Sequence, residues 1–195
     1  NVHEIFDMAE FFKNNEKYKK SIVFYDKVLN SIDKNHILYS EASEGRGIAL
    51  ERVGNWNKAE NDLLNSLSVS PNKAYVINYL AYSWIEQGIN IERSLKMLKK
   101  ANKLKPNDGY ITDSLGWAFF KLEKYLEAKK YLQLAVTLMP SDPIVNDHFG
   151  DSLYMSGEKL QARYIWNNVL KFDGVKKEMI KNIETKLIFG LDLDS

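Results

Sequence analysis

Residues 109–140 read GYITDSLGWAFFKLEKYLEAKKYLQLAVTLMP, and residues 143–173 read PIVNDHFGDSLYMSGEKLQARYIWNNVLKFD. The two stretches align without a gap. Gly116 meets Gly150, Phe119 meets Leu153, Ala128 meets Ala162, Leu132 meets Trp166 and Ala135 meets Val169, always 34 residues apart. A fixed period of this length marks a repeat architecture, in which one unit cannot bury its apolar face alone and needs a stacked neighbour. Within a period, apolar residues recur at i, i+3, i+4 and i+7, as in Ile77, Leu80, Ala81 and Trp84 upstream. That is the spacing of one helix face, and strict alternation is absent, so each period reads as two helices. Asp142 followed by Pro143 reads as an N-cap and first helical residue.

The same register extends towards the N-terminus. Leu80, Ala81, Trp84 and Gly88 open a unit that closes with Leu98, Ala101 and Pro106, with one extra residue in GINIERS. Gly47, Leu50, Gly54, Trp56, Ala59, Leu63 and Pro71 mark the unit before it. Ala9, Phe12, Tyr18, Ser21, Tyr25 and Val28 mark the first and most degenerate one. Five units over residues 1–173 are expected, with starts near 2, 40, 74, 109 and 143. Gly54, Gly88 and Gly157 sit where the first helix of a unit must stop and turn. Gly47, Ala81, Gly116 and Gly150 fall in mid-helix, where glycine costs up to ~1 kcal/mol against alanine. Their smallness makes sense if the second helix packs closely there. The stretch GVKKEMIKNIETKLIFG does not repeat. Met179, Ile183 and Leu187 share one face, and Lys176, Lys177 and Lys181 lie away from it. A stack of repeats needs a terminal helix with a polar outer face, so a capping helix is expected over 174–188, followed by a frayed tail over 189–195.

At this point the pattern resembles the tetratricopeptide repeat: a small residue eight places into each unit, an alanine near place twenty and a closing proline. The resemblance covers roughly residues 2–173. Departures are Thr112 where that family often has tryptophan, Arg46 where it has leucine, and Ser21 and Ser94 where it has alanine. The resemblance implies an all-α, right-handed superhelical solenoid of about five helix-turn-helix units plus the capping helix. It also implies that places two, five, nine and twelve of the first helices line a concave groove. These are Tyr75, Asn78, Tyr82 and Ile85 in the third unit, and Tyr110, Asp113, Trp117 and Phe120 in the fourth. In the fifth they are Ile144, Asp147, Asp151 and Tyr154. The second unit offers Glu41, Glu44, Ile48 and Glu51, and the first His3, Phe6, Glu10 and Lys13. Residues three and four apart on a helix are neighbours, which supports a common face.

Such a groove has an aromatic middle and an acidic lining, which fits recognition of a protein or peptide segment, neutral or basic. The competing reading is that Tyr82, Trp117 and Phe120 pack against adjacent helices and line nothing. Grip of an acidic C-terminus in this family uses Lys, Arg and Asn at these places, and only Asn78 fits. Trp56, Trp84, Phe119, Tyr125, Tyr131 and Trp166 occupy packing places and belong to the core. YVINYLAYSWIEQG, DSLGWAFF and DHFGDSLY look similar to a group of bacterial repeat proteins, several of them envelope-associated. The compartment expected is therefore the bacterial envelope or the cytoplasm, leaning to the periplasm.

Composition narrows the function classes. The 195 residues are 45% apolar and 27% charged, enough for a continuous core. The formal net charge of +1 supplies no field that would draw the chain to nucleic acid or anionic lipid. Without cysteine there is no disulfide, thiolate metal site or cysteine nucleophile. No apolar run approaches the ~20 residues that span a bilayer, so direct membrane insertion is not expected. The chain begins at Asn1 without a methionine and reads as a processed or trimmed fragment. No phosphate loop, dinucleotide fingerprint or HExxH motif occurs, and Ser114 and Ser152 sit in no nucleophile elbow. Glu123 and Glu127 stand among Lys121, Lys124 and Lys130 as a solvated face. Asp147, His148 and Asp151 combine ligand types that suit zinc or manganese, but His148 is one step off the face of the two carboxylates and no fourth ligand is evident. No metal and no other cofactor is expected. Lys96, Lys99, Lys100, Lys103 and Lys105 form a basic run without the interleaved aromatics that base stacking needs. The chain reads as a non-catalytic interaction scaffold. The alternatives are self-assembly by stacking through Phe6, Phe11 and Phe12, or a regulatory segment of a larger protein.

Overall fold

The computed structural model describes residues 1–191, which form eleven α-helices and no strand. First helices alternate with second helices: α1 Val2–Asn14, α2 Tyr18–Ser31, α3 Tyr39–Arg52, α4 Trp56–Val69, α5 Ala74–Glu86 and α6 Ile91–Leu104. The series continues with α7 Gly109–Lys121, α8 Tyr125–Leu138, α9 Pro143–Met155, α10 Lys159–Val169 and α11 Lys177–Phe189. This is the all-α helical-repeat solenoid class. The chain divides into two compact units, Asn1–Leu80 and the residues from Ala81 onward, and the border falls inside α5. In the first unit α2 packs on α1, and α3 packs on α1, α2 and α4. In the second, α7 packs on α6, α8 and α9, α9 packs on α8 and α10, and α10 packs on α11.

The small residue at place eight sets the spacing of each pair. Gly47 of α3 lies against Leu63 and the Ala59 carbonyl of α4, and Gly150 of α9 lies against the Trp166 indole of α10. A Cβ on Gly116 would stand 2.6 Å from Leu132 Cγ of α8 and 3.1 Å from the Leu132 backbone nitrogen. The buried apolar residues follow from that closeness. Ala9, Tyr25, Val28 and Ala42 form one cluster in the first unit. In the second unit Ala81, Ile85, Leu98, Leu115, Ala118 and Leu132 form another, and Leu153, Ala162, Trp166, Val169 and Ile183 a third. Asp142 caps α9 by accepting the Ile144 and Val145 N–H groups at 2.9 and 3.0 Å, with Pro143 in the first turn. Asp108 caps α7 through the Ile111 N–H.

Arg46 shows why one departure from the repeat pattern is tolerated. Its guanidinium bonds Asp62 of α4 at 2.6 and 2.8 Å and Asp26 of α2 at 2.7 Å, so three helices share one cation where an apolar side chain would otherwise pack. The turn after the first helix shows a second accommodation. Gly157 adopts φ +91° there, and Glu123, one period earlier, holds φ +58° without the freedom of glycine.

α11 begins 34 residues after α9, so it keeps the repeat period and stands in the place of a sixth first helix. Its Ile183 is fully buried against α9 and α10. The helix starts at Lys177 rather than 174, because Gly174 holds φ +74° in the preceding turn. Fraying from 189 is not what the described residues do. Phe189 is helical, Gly190 is buried against the Tyr154 ring, and Leu191 packs on the second unit's clusters. The remainder of that expected tail, 192–195, lies outside the described residues.

Gly116→Ala is expected to destabilise the chain by about 1–3 kcal/mol, because the added methyl meets a leucine branch point and backbone that cannot both retreat. Urea denaturation of the variant beside wild type measures it, with a lowered midpoint as the expected result.

Candidate functional site

The first helices of the second unit carry a row of acids, and the structure turns that row inward. Asp113 of α7 bonds Nδ1 of His148 on α9 at 3.0 Å. Asp147 and Asp151 of α9 both bond the ammonium of Lys186 on α11, at 2.8 and 2.7 Å. The Trp166 N–H of α10 donates to Asp151 at 3.1 Å. The Trp117 N–H of α7 donates to Glu86 of α5 at 2.8 Å. In each case an acid on one helix holds a donor on a helix that follows. The first unit makes similar links, one of them from Lys73 just before α5. Lys73 pairs with Glu44 at 2.6 Å, the Tyr79 hydroxyl donates to Glu51 at 2.7 Å, and the Tyr25 hydroxyl donates to Glu10.

This arrangement corrects the expectation of an open, acid-lined groove. Asp113, Asp147 and Asp151 are buried, and their charges meet His148 and Lys186 rather than solvent. Trp117 and Phe120 are buried as well. The Trp117 ring is stacked between Phe120 at 4.6 Å and His148 at 4.0 Å, centroid to centroid, so its two faces are already covered. Ile85 is fully buried in the same cluster, and Tyr82 is half-buried against it. Tyr154 is half-buried beside Trp166 and Gly190. In the first unit Asn78 is half-buried, and its Oδ1 has no hydrogen-bond partner among the described residues. The place-two residues are exposed: Tyr110 by 61%, Ile144 by 50% and, in the first unit, Tyr75 by 54%. Of the phenylalanines considered for self-assembly, Phe6 packs on Tyr25 and Phe12 stacks on Phe24, while Phe11 is exposed.

The partner that sequence reasoning missed is Lys186. It sits on the one helix that shows no repeat motif, and Glu184 stands where a repeat would carry its small residue. The signal available was the period itself, since α11 keeps it.

The electrostatics follow from burial and pairing. Burial works against a charge on Lys186, but Asp151 and Asp147 outweigh it and raise its pKa. Burial also opposes the imidazolium of His148, and Asp113 outweighs it, so His148 titrates above its ordinary value. One ammonium cannot neutralise two carboxylates. Burial, and then the neighbouring Asp147, push Asp151 up to about 6 despite Lys186. Asp147, His148 and Asp151 are thus bonded to protein groups, and among the described residues no cluster of three acidic or histidine side chains could hold a metal ion. Among the same residues no helix is long and apolar enough to cross a membrane.

With this geometry established, the comparisons with known proteins fall into place. The tetratricopeptide repeat family profile matches residues 114–142. A TPR repeat-containing protein of Pseudomonas aeruginosa is 28% identical over 144 residues, which is 73% of this chain. The chain spans only 23% of that relative's length. Among solved structures, MamA from Desulfovibrio magneticus RS-1 superposes with a TM-score of 0.76 at 16% identity, covering 88% of this chain and 94% of that one. The pilF protein of Pseudomonas aeruginosa superposes with a TM-score of 0.74 at 17% identity, covering 98% and 93%. Identities this low carry the fold and no more.

Lys186→Met leaves Asp147 and Asp151 facing each other in a buried place. Breaking a buried pair from one side costs about 3–5 kcal/mol, and the loss is expected to be largest above pH 6, where Asp151 must stay ionised. In wild type the folded state holds the Asp151 proton more tightly than the unfolded chain, so this group's contribution falls as pH climbs from about 4 to about 6. His148 adds the same sign at higher pH. Its contribution is fully present below about 6.5 and is lost as pH rises through its raised folded value. Urea midpoints measured from pH 4 to 9 for wild type, Lys186→Met and His148→Gln check both. A flattened slope above pH 6.5 is expected in His148→Gln.

Proposed function

We propose that this chain, a tetratricopeptide-repeat protein, holds a polypeptide segment against the exposed first turns of its first helices and performs no catalysis of its own. Tetratricopeptide repeats as a class are protein-interaction scaffolds, and that general reading applies here. The observation that carries the finer reading is the recurrence of a large, exposed, largely apolar side chain at place two of the two successive repeats that begin at 109 and 143. Tyr110 and Ile144 stand so in the second unit, and Tyr75 holds the same place in the first. Tyrosine and large aliphatic side chains supply contact area at low entropic cost, which is why they dominate binding surfaces.

What lies beneath them supports the reading. Asp113, Trp117, Phe120, Asp147 and Asp151 are locked by stacking and ion pairs, so Tyr110 and Ile144 project from helices whose spacing is already set. A rigid support limits the ordering cost of binding. The partner's chemistry changes accordingly. Acids expected to orient a basic segment instead orient the protein's own His148 and Lys186, so a neutral segment rich in apolar side chains is the better fit for this unit.

Self-assembly is the second reading, favoured by Met8 and Phe11, which are exposed one turn apart on α1 at 42% and 55%. Sedimentation equilibrium decides it. Mass that rises with concentration in wild type and stays monomeric in Phe11→Glu supports it, and a monomer throughout removes it.

For the main proposal, peptides selected from a random displayed library on the immobilised chain are titrated against wild type and a Tyr110→Ala/Ile144→Ala variant. Loss of two anchor residues is expected to weaken binding about 30-fold or more, equivalent to ~2 kcal/mol. Unchanged affinity in a variant with wild-type circular dichroism would sink the assignment.

A further inference from the structure

α6 buries Ser94, Leu95, Leu98 and Ala101, packs Met97 half-buried against the same cluster, and turns a charged face outward. That outer face carries Arg93, Lys96, Lys99, Lys100 and Lys103, all exposed, against a single acid, Glu92. At 100° per residue these five cations fall on one stripe, about 15 Å long from Arg93 to Lys103. Like charges three and four apart on a helix oppose its formation. Among the described residues Lys96, Lys99 and Lys103 enter no ion pair that would offset this. The next second helix is composed differently: α8 mixes Glu127 with Lys129 and Lys130, and Lys129 bonds Glu158. Three exposed lysines that repel one another along one helix face, without an ion pair among the described residues, are a local conflict of the kind that marks a functional surface.

The surface beside the stripe identifies the kind of partner. The Lys99 ammonium lies 5.4 Å from the centre of the Phe119 ring, and Phe119 stacks on Tyr131 of α8 at 5.4 Å with the planes 6° apart. Leu134, one turn further along α8, is 42% exposed. Cations therefore border partly exposed apolar surface on α8, where Tyr131 is half-buried and Leu134 exposed. A segment that interleaves acids with apolar side chains complements both the cations and that apolar surface. We propose that the α6 stripe, with Phe119 and Tyr131 beside it, is a docking surface for an acidic polypeptide segment that carries apolar side chains among its Asp and Glu residues. The stripe matches about five extended residues, at ~3.3 Å each. The surface is separate from the first-helix face that Tyr110 and Ile144 occupy, and it does not depend on the proposal made for them.

The test uses a fluorescein-labelled twelve-residue peptide that alternates Glu with Leu and Phe. Two control peptides accompany it, one with Lys for Glu and one with Gly for Leu and Phe. Anisotropy titrations compare wild type with Lys96→Glu/Lys99→Glu/Lys103→Glu, whose three positions are exposed, after circular dichroism has shown the variant to be folded. The expected result is binding of the acidic-apolar peptide that weakens at least about tenfold in the triple variant and falls with added salt. Neither control should bind comparably, and the Tyr110→Ala/Ile144→Ala variant should bind as wild type does. Equal affinity in the triple variant, or no binding by wild type, overturns the proposal. So does loss of the preference for apolar residues together with salt-sensitive binding to phosphatidylserine vesicles, which would make the stripe a lipid-facing surface instead.

Discussion

A pair of helices cannot bury its own apolar face, so everything in this chain depends on how closely each first helix approaches the second helix after it. Gly47, Gly116 and Gly150 set that approach. With no Cβ at these places, Leu63, Leu132 and Trp166 sit on the backbone of the facing helix. Once the pairs are that close, the fully buried alanines at Ala59, Ala128 and Ala162 follow, because nothing larger fits where two helices nearly touch. Glycine in mid-helix is unfavourable locally and favourable for the stack, so the stack, not helix propensity, explains it.

Apolar stacking sets distance but not register, since one greasy face slides on another at little cost. The polar contacts supply the register. Asp113 to His148, Asp147 and Asp151 to Lys186, and Glu86 to Trp117 each link one helix of the second unit to a later one, and each works at a single offset. Buried ion pairs gain little over well-packed apolar groups, and their best-attested role is in specifying one arrangement. Lys186 also explains how the series ends. α11 keeps the period of a first helix and covers the apolar surface of α10, and through one cation it closes the acidic row of α9.

Much of the fold was legible because periodicity is a property of sequence. The helix pairs, the Asp142–Pro143 start of α9 and the close approach at the mid-helix glycines all follow from spacing and residue size. For the expected groove residues, spacing gives the shared helix face and misleads on exposure. Helical spacing puts Asp113, Trp117 and Phe120 on one face of α7, and they do share it. Spacing cannot reveal that His148 lies flat on the Trp117 ring, because His148 belongs to another helix and sits one step away from the place that the repeat pattern assigns to ligand contact. Arg46 was illegible for the same reason. As an isolated departure it reads as poor packing, and only with Asp26 and Asp62 beside it does it become a contact.

The same pairing changes what the net charge means. A formal +1 over 195 residues argued against any strong surface field. That argument holds only if both signs are exposed alike, and in the second unit they are not. Asp113, Asp147 and Asp151 are withdrawn into the interior, with Lys186 and His148 as their partners, while the cations of α6 all stay outside. Burying acids makes the remaining surface more basic than the sequence total, and concentrating lysines on one stripe makes it more basic still in one place. Charge balance over a chain therefore bounds its far field but not the potential at a given helix face, where the Debye length of ~8 Å at physiological salt lets a partner feel only the charges close to it. For a fold that hosts many functions, that local potential, together with the exposed place-two residues, is where this chain differs from a generic stack of helices.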